Sequence, residues 1–304
     1  MILLINQILN GLQLGLILFL LAAGLSLVFG IMDFINLAHG VFYMVGAYLC
    51  ATVAIVTSSF FLGLLVAIPA AVLLGLAVEW LVARRLYERD HLDHVLATFG
   101  LILCFDTAVK YLWGPEGLSV PLPSWLGGQV ALGGIAMPAY RLFVVAVGLV
   151  VAALLWLVIT RTRAGMLIRA AASNEPMARA LGVETKLLFT LVFAAGAALA
   201  ALAGLLVAPI TGTSIGMGNQ IVILALVVIV VGGIGSIKGA FIAALAVGLI
   251  DTLGRAYLVG LMSLVFSPTV SSSAGPALAS ILIYLSMAFV LVLRPAGLFP
   301  PASR

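Results

Sequence analysis

The chain has 304 residues, of which 64% are hydrophobic and 8% charged, with a formal net charge of +4 and a mean hydropathy of +1.33. Soluble domains carry about 25% charged residues, so this composition cannot build a water-facing surface. It excludes a soluble enzyme, a nucleic-acid binder and a disordered regulator together, and leaves an all-α, polytopic membrane protein with almost no extramembrane domain.

Spans of about 20 residues leave room for eight or nine crossings in one membrane domain over 1–304. The apolar runs predict them near 8–30, 38–57, 61–83, 95–113, 141–160, 187–209, 219–237, 239–256 and 277–293. The runs are long and unalternating, which favours helices over barrel strands. No secretory signal is expected, since the first cation is Arg84 and a signal peptide opens on a basic segment. The seventh span is weakest. Its uninterrupted core, Ile221 to Val231, makes about 16 Å of helix against a hydrocarbon layer of about 30 Å, so it is either a full span or a half-helix.

Between the first two spans the run from Ile31 to Gly40 is polar, with Asn36, His39 and Gly40 in it. A second polar stretch, Thr211 to Gln220, ends on Asn219 and Gln220. Irregular polar backbone at membrane depth is tolerated where it is packed in protein or lines a wet cavity, and in transporters it points to a substrate path. Loops at opposite faces are the plainer alternative.

The loop 84–94 carries Arg84, Arg85 and Arg89, and 161–186 carries Arg161, Arg163, Arg169, Arg179 and Lys186. The positive-inside rule puts both loops in the cytoplasm, joined by the C-terminus with Arg294 and Arg304. Parity then places the N-terminus outside and makes 114–140 the longest external loop. Cys50 and Cys104 lie in apolar runs without a CxxC neighbour and read as small core side chains. His91 and His94, with Asp90 and Asp93, sit within one turn and offer either a partial metal site or a charge-balanced loop. Asp106 and Lys110, and Asp251 and Arg255, are four apart with the acid first, the spacing of neutralised pairs on one helix face, or of a pathway.

No catalytic motif emerges. The segment 232–239, GGIGSIKG, lacks the adjacent Gly-Lys-Ser/Thr of a phosphate loop, so Gly233, Gly235 and Gly239 read as packing residues, with Gly235 and Gly239 spaced for close helix approach. In 161–186, Ser173 or Asn174 can cap a short helix, Glu175 and Pro176 suit its first turn, and Gly182 suits a left-handed exit. Met177, Ala178 and Leu181 form a small apolar face. Two turns do not hold in water alone, so this helix is built to dock, on a protein or on lipid headgroups.

At these residues the chain resembles the branched-chain amino acid permeases of ABC importers, of the LivH type. INLAHGVFYMVGAY (35–48) is similar to the family's Asn-Phe-Ala-His-Gly signature, and RAAASNEPMARALGV (169–183) to its coupling loop. VVGGIGSIKGA (230–240) and LRPAGLF (293–299) match further motifs in the same order. The resemblance implies a type II-like ABC importer permease fold in the bacterial inner membrane. It implies no enzyme activity and no cofactor on this chain, ATP and Mg being bound by two partner ATPases. A LivM-like second permease and a periplasmic amino-acid-binding protein are the further implied partners. It assigns Arg169, Asn174, Glu175, Ala178 and Gly182 to ATPase coupling. Position 41 is Val41 where many relatives carry an acid, and Asp106 and Lys110 also depart from the pattern. A urea or short-amide importer, and a stand-alone secondary transporter or channel, are the alternatives.

Overall fold

The computed structural model describes residues 2–123, 125–132 and 135–299; Arg304, expected at the cytoplasmic C-terminus, lies outside them. Its elements are α1 (Ile2–Met32), α2 (His39–Thr57), α3 (Phe60–Leu81), α4 (His91–Trp113), a hairpin of β1 (Gln129–Leu132) and β2 (Ile135–Pro138), α5 (Ala139–Arg161), α6 (Arg163–Ser173), α7 (Glu175–Ala180), α8 (Thr185–Thr211), α9 (Met217–Gly232), α10 (Ile237–Met262) and α11 (Pro268–Leu293). Among the described residues, eight helices are long and apolar enough to cross a membrane. The ninth passage is α9, whose 16 residues make about 24 Å of helix, shorter than the hydrocarbon layer. The antiparallel hairpin, in register Gln129 with Pro138, is the only sheet among the described residues.

Helix α1 is the axle of the bundle. From Leu16 to Leu25 its hydrophobic side chains are each 2% exposed or less, because α5, α8, α9 and α10 pack around it. Such enclosure needs small residues where backbones meet. Gly11 and Gly15 lie against Leu249 and Leu245 of α10, so α1 and α10 run antiparallel, and Gly24 lies against Gly196 of α8. The outer faces of α3, α4, α5 and α11 keep large apolar side chains exposed, among them Leu65, Leu103, Leu154 and Phe289. A lipid surround or a membrane partner satisfies them.

The helices repeat. α9, α10 and α11 start 178, 177 and 177 residues after α2, α3 and α4 (217 against 39, 237 against 60, 268 against 91). Packing repeats with the sequence spacing: α1 lies on α10 as α8 lies on α3. Because α1 and α8 run in opposite directions, the two four-helix units form an inverted repeat, an architecture used by many transporters.

One end of the bundle gathers the basic loops. Arg84 hydrogen bonds Thr190 at 2.8 Å, Tyr87 packs edge-on to Phe189, and Leu298 bonds back to Val231 at the end of α9. The loops 84–90 and 161–186 and the C-terminal turn therefore share a face, as their cations imply. At the other end Trp125 stacks on Phe61 and Leu118 pairs with Thr213 in both directions.

The two chain breaks meet inside this frame. A Cβ on Gly40 would lie 2.2 Å from the Gly218 carbonyl oxygen, and one on Gly218 would lie 2.0 Å from that of Gly40. Overpacking of this kind costs about 1–3 kcal/mol. Gly40→Ala and Gly218→Ala should each lower the thermal midpoint in detergent, followed by intrinsic fluorescence, whereas Gly100→Ala, which meets open space, should not. Equal midpoints for Gly40→Ala and Gly100→Ala would mean that the two backbones do not touch.

Candidate functional site

Each break leads into a helix that starts inside the bundle. The segment 33–38 turns at Asp33, a left-handed residue with φ 51°, a conformation that aspartate tolerates better than most side chains. It then passes Phe34, which is buried among Tyr87, His94 and Phe193, and enters α2 at His39. Asn36 and His39 are 2% and 1% exposed, and Asn36 Nδ2 and His39 Nε2 have no hydrogen-bond partner among the described residues. Two unsatisfied buried polar atoms on one short segment are expensive.

The opposing break, 212–216, is held at its outer end by Thr213 and at its inner end by Gly216, whose N–H donates to Met44 Sδ at 3.4 Å. Asn219, in the first turn of α9, donates to Asp106 Oδ2 at 3.1 Å, and Gln220 beside it is exposed. This corrects the expected Asp106–Lys110 pair. Their spacing is right, but no ion pair links them among the described residues, because α9 presents an amide to Asp106 and Lys110 is exposed. The Asp106 carboxylate also sits at the positive end of the α9 dipole, a favourable place for it. The Asp251–Arg255 pair is present at 2.8 Å.

The basic end carries the second candidate site. The loop 161–186 holds two helices where one is predicted. Thr162 caps α6 through Gly165 N at 3.1 Å, and Asn174, rather than Ser173, caps α7 through Met177 N at 2.9 Å. Glu175 pairs with Arg179 at 2.5 Å, and Gly182 leaves the helix at φ +88°, as the sequence predicts. The apolar face divides. Ala178 is buried, while Met177 and Leu181 are 58% and 79% exposed, so two apolar side chains project past the end of the bundle. Arg169 lies on α6, apart from this helix, at the edge of a cavity beside α10.

With this geometry in view, comparison with known proteins is decisive. Residues 7–291 match the family described as branched-chain amino acid transport system / permease component. The chain belongs to that family. It is 31% identical over 264 residues to the high-affinity branched-chain amino acid transport system permease protein BraD of Pseudomonas aeruginosa, covering 82% of this chain and 86% of BraD. It is equally identical over 271 residues to LivH of Escherichia coli K12, covering 84% and 87%, with the same values for LivH of Salmonella typhimurium. A solved structure, an inward-facing conformation of a metal-chelate-type ABC transporter, aligns over 93% of this chain and 84% of its own at a TM-score of 0.48 and 22% identity.

Other expectations for this permease-family chain divide. Gly233, Gly235 and Gly239 are packing residues, but not as a helix face. Gly233 and Gly235 have φ of 102° and 83° in the turn between α9 and α10, Gly235 meets Gly30 of α1, and Gly239 meets Gly232 across the same turn. Cys50 is buried, whereas Cys104 is exposed on the outer side of α4, a face that composition alone cannot orient. His91 lies 3.8 Å from Asp33 and His94 bonds the Leu86 carbonyl at 2.7 Å. The two rings thus serve different partners, and no group of three metal-ligating side chains forms among the described residues.

One cluster escaped the sequence reading. Glu79, near the end of α3, is 0% exposed and accepts two bonds from Arg84, at 3.2 and 3.0 Å, and one from Tyr87 at 2.9 Å. Burial first, and then the Glu79 charge, hold the Tyr87 phenol above its ordinary pKa, so it stays a donor. The signal of Glu79 in the sequence is Arg84, five residues on. Removing one partner of a buried pair is costlier than neutralising both, by up to about 3–5 kcal/mol, less here because Arg84 is partly solvated. Arg84→Ala should therefore lower the melting midpoint more than Glu79→Gln, and adding Glu79→Gln to Arg84→Ala should recover part of the loss. A double variant less stable than Arg84→Ala alone would contradict the pairing.

Proposed function

We propose that this chain is the permease subunit of an ABC importer for branched-chain amino acids, driven by ATPases that dock on α7 in the cytoplasm of a bacterial cell. The observation that carries this is the pair Met177 and Leu181, exposed on a capped two-turn helix at the basic end of a membrane protein. A helix this short is not stable by itself. Asn174 fixes its start, Gly182 its exit, and buried Ala178 its seat, which leaves Met177 and Leu181 as its large exposed apolar side chains. Family membership supplies the rest of the reading: a LivM-like second permease against an exposed helix face, a periplasmic binding protein at the hairpin end, and ATP and Mg held by the partners.

Transport then needs a path that opens. The helices that follow the breaks at 33–38 and 212–216 meet in their first turns, at Gly40 and Gly218, so a push on the basic end reaches α2 and α9 next to where the helical hydrogen bonding is interrupted. Asn36, His39, Asn219 and Gln220 are the polar side chains placed there. A path with few unpaired charges lets a zwitterion pass without being trapped, and an apolar side chain suits the rest of it.

The experiment is uptake by cells carrying the intact system, with ATPase retention after detergent extraction measured in the same cells. Leu181→Glu should abolish most of both, since it buries a charge in the docking face. Gly182→Val should reduce both, because a β-branched residue is costly at positive φ. Glu175→Lys removes the pair with Arg179 and adds a cation at the helix start, with the same result. A helix that anchors on lipid headgroups would instead be strengthened by Glu175→Lys. Leucine should saturate uptake; saturable urea uptake untouched by excess leucine would assign the short-amide alternative. Uptake driven by an ion gradient without any ATPase would assign the secondary transporter.

A further inference from the structure

A cavity of about 1030 Å³ opens at the basic end between α1, α5, α6 and the start of α10. Its walls are mostly apolar, with Phe19 and Leu27 of α1, Ala153 and Trp156 of α5, and Phe241 of α10, and one buried hydroxyl, that of Ser26 on α1. Its mouth is not. Arg169 of α6 and Lys238 of α10 stand there with Ser173 and Ser236, and both cations are exposed. Arg169 makes no hydrogen bond or ion pair among the described residues, and Lys238 has only the face of Phe299, 5.3 Å away. Neither cation faces a carboxylate within ion-pair distance among the described residues.

We propose that this cavity binds an anionic phospholipid from the leaflet on the basic side. Its acyl chains lie among α1, α5 and α10, and its phosphate lies between Arg169 and Lys238. Three measures agree. On α1 the lining runs from Phe19 to Ile31 and on α5 from Leu149 to Thr160, about 16–18 Å of helix, which is the depth of one leaflet's hydrocarbon, half of about 30 Å. A mostly apolar void of this size wastes packing when empty, whereas acyl chains fill it and leave only the Ser26 hydroxyl, already unpartnered among the described residues, without a hydrogen bond. Two unpaired cations at the mouth, with the capped N-terminus of α10 beside them, supply what a headgroup phosphate seeks. A zwitterionic lipid satisfies the walls but leaves the mouth unneutralised. The inference requires only that the chain is embedded in a membrane, so it stands apart from the substrate and coupling reading.

Trp156 provides the probe. The permease, purified in its native assembly, is placed in nanodiscs of phosphatidylcholine containing either dibrominated phosphatidylglycerol or dibrominated phosphatidylcholine. The fluorescence lost from the parent but not from Trp156→Phe reports this side chain. Half-quenching should occur at a mole fraction about fivefold or more lower for the glycerol lipid, the scale of one headgroup–cation contact. Arg169→Gln with Lys238→Gln should bring the two lipids to parity, and Arg169→Lys with Lys238→Arg should keep them apart. Parity in the parent would overturn the proposal. So would an unchanged ratio in the double Gln variant, and so would the absence of Trp156 quenching by either lipid, which would mean that protein covers the cavity. Should the Gln variant fail to insert, the parent ratio still decides.

Discussion

Gly40 and Gly218 bring two backbones into contact in the interior of the bundle, and much of the rest follows from that contact. Neither position has room for a side chain, so α2 and α9 approach backbone to backbone where both are newly begun. Each begins inside because the preceding segment is not helical, and each non-helical segment is tolerated because protein, not lipid, surrounds it. The cost shows in Asn36 Nδ2 and His39 Nε2, which lack partners among the described residues, and the compensation shows on the other side, where Asp106 receives Asn219 and faces the start of α9.

The frame around the crossing is rigid in a way that the crossing is not. α1 is buried from Leu16 to Leu25, and α3 is pinned to α8 through Glu79, Arg84 and Thr190. By contrast α9 is short, entered by a bend and left by a turn of two left-handed glycines. An inverted repeat with fixed long helices and interrupted short ones can change which end of the centre is accessible without remaking its core. Helix α7, proposed above as the docking helix, lies at the basic end of this frame: α6 links it to α5, and the α7–α8 exit at Gly182 leads directly into a helix that touches α1, α2 and α3.

The sequence displays most of the fold because hydropathy is strong when every span is one continuous run. The nine passages, the shortness of α9 and the shared face of the basic loops are all legible, as are the Asn174 cap and the Gly182 exit, because caps depend on local geometry. What depends on the neighbouring helix is not legible. Asp106 has the right spacing for Lys110 yet pairs with Asn219, Cys104 faces outward, and the Gly235–Gly239 spacing serves a turn. The inverted repeat was written in the distance between the two polar breaks, but weakly, since INLAHG and IGMGNQ share little beyond their glycines. Glu79 was hidden by its position beside arginines that topology alone explained.

The meeting of the two breaks inside the bundle is the claim on which the transport reading stands, and cross-linking tests it directly. In a chain lacking Cys50 and Cys104, cysteines replace Met44 of α2 and Ile215 of the second break, which lie in one cluster, and a protease site is inserted after Gly182. A short bis-maleimide applied in the membrane should hold the two cleaved halves together on a denaturing gel, while either cysteine alone should not. Clean separation of the halves, with both cysteines still reactive toward a small membrane-permeant maleimide, would place the breaks apart and contradict the crossing.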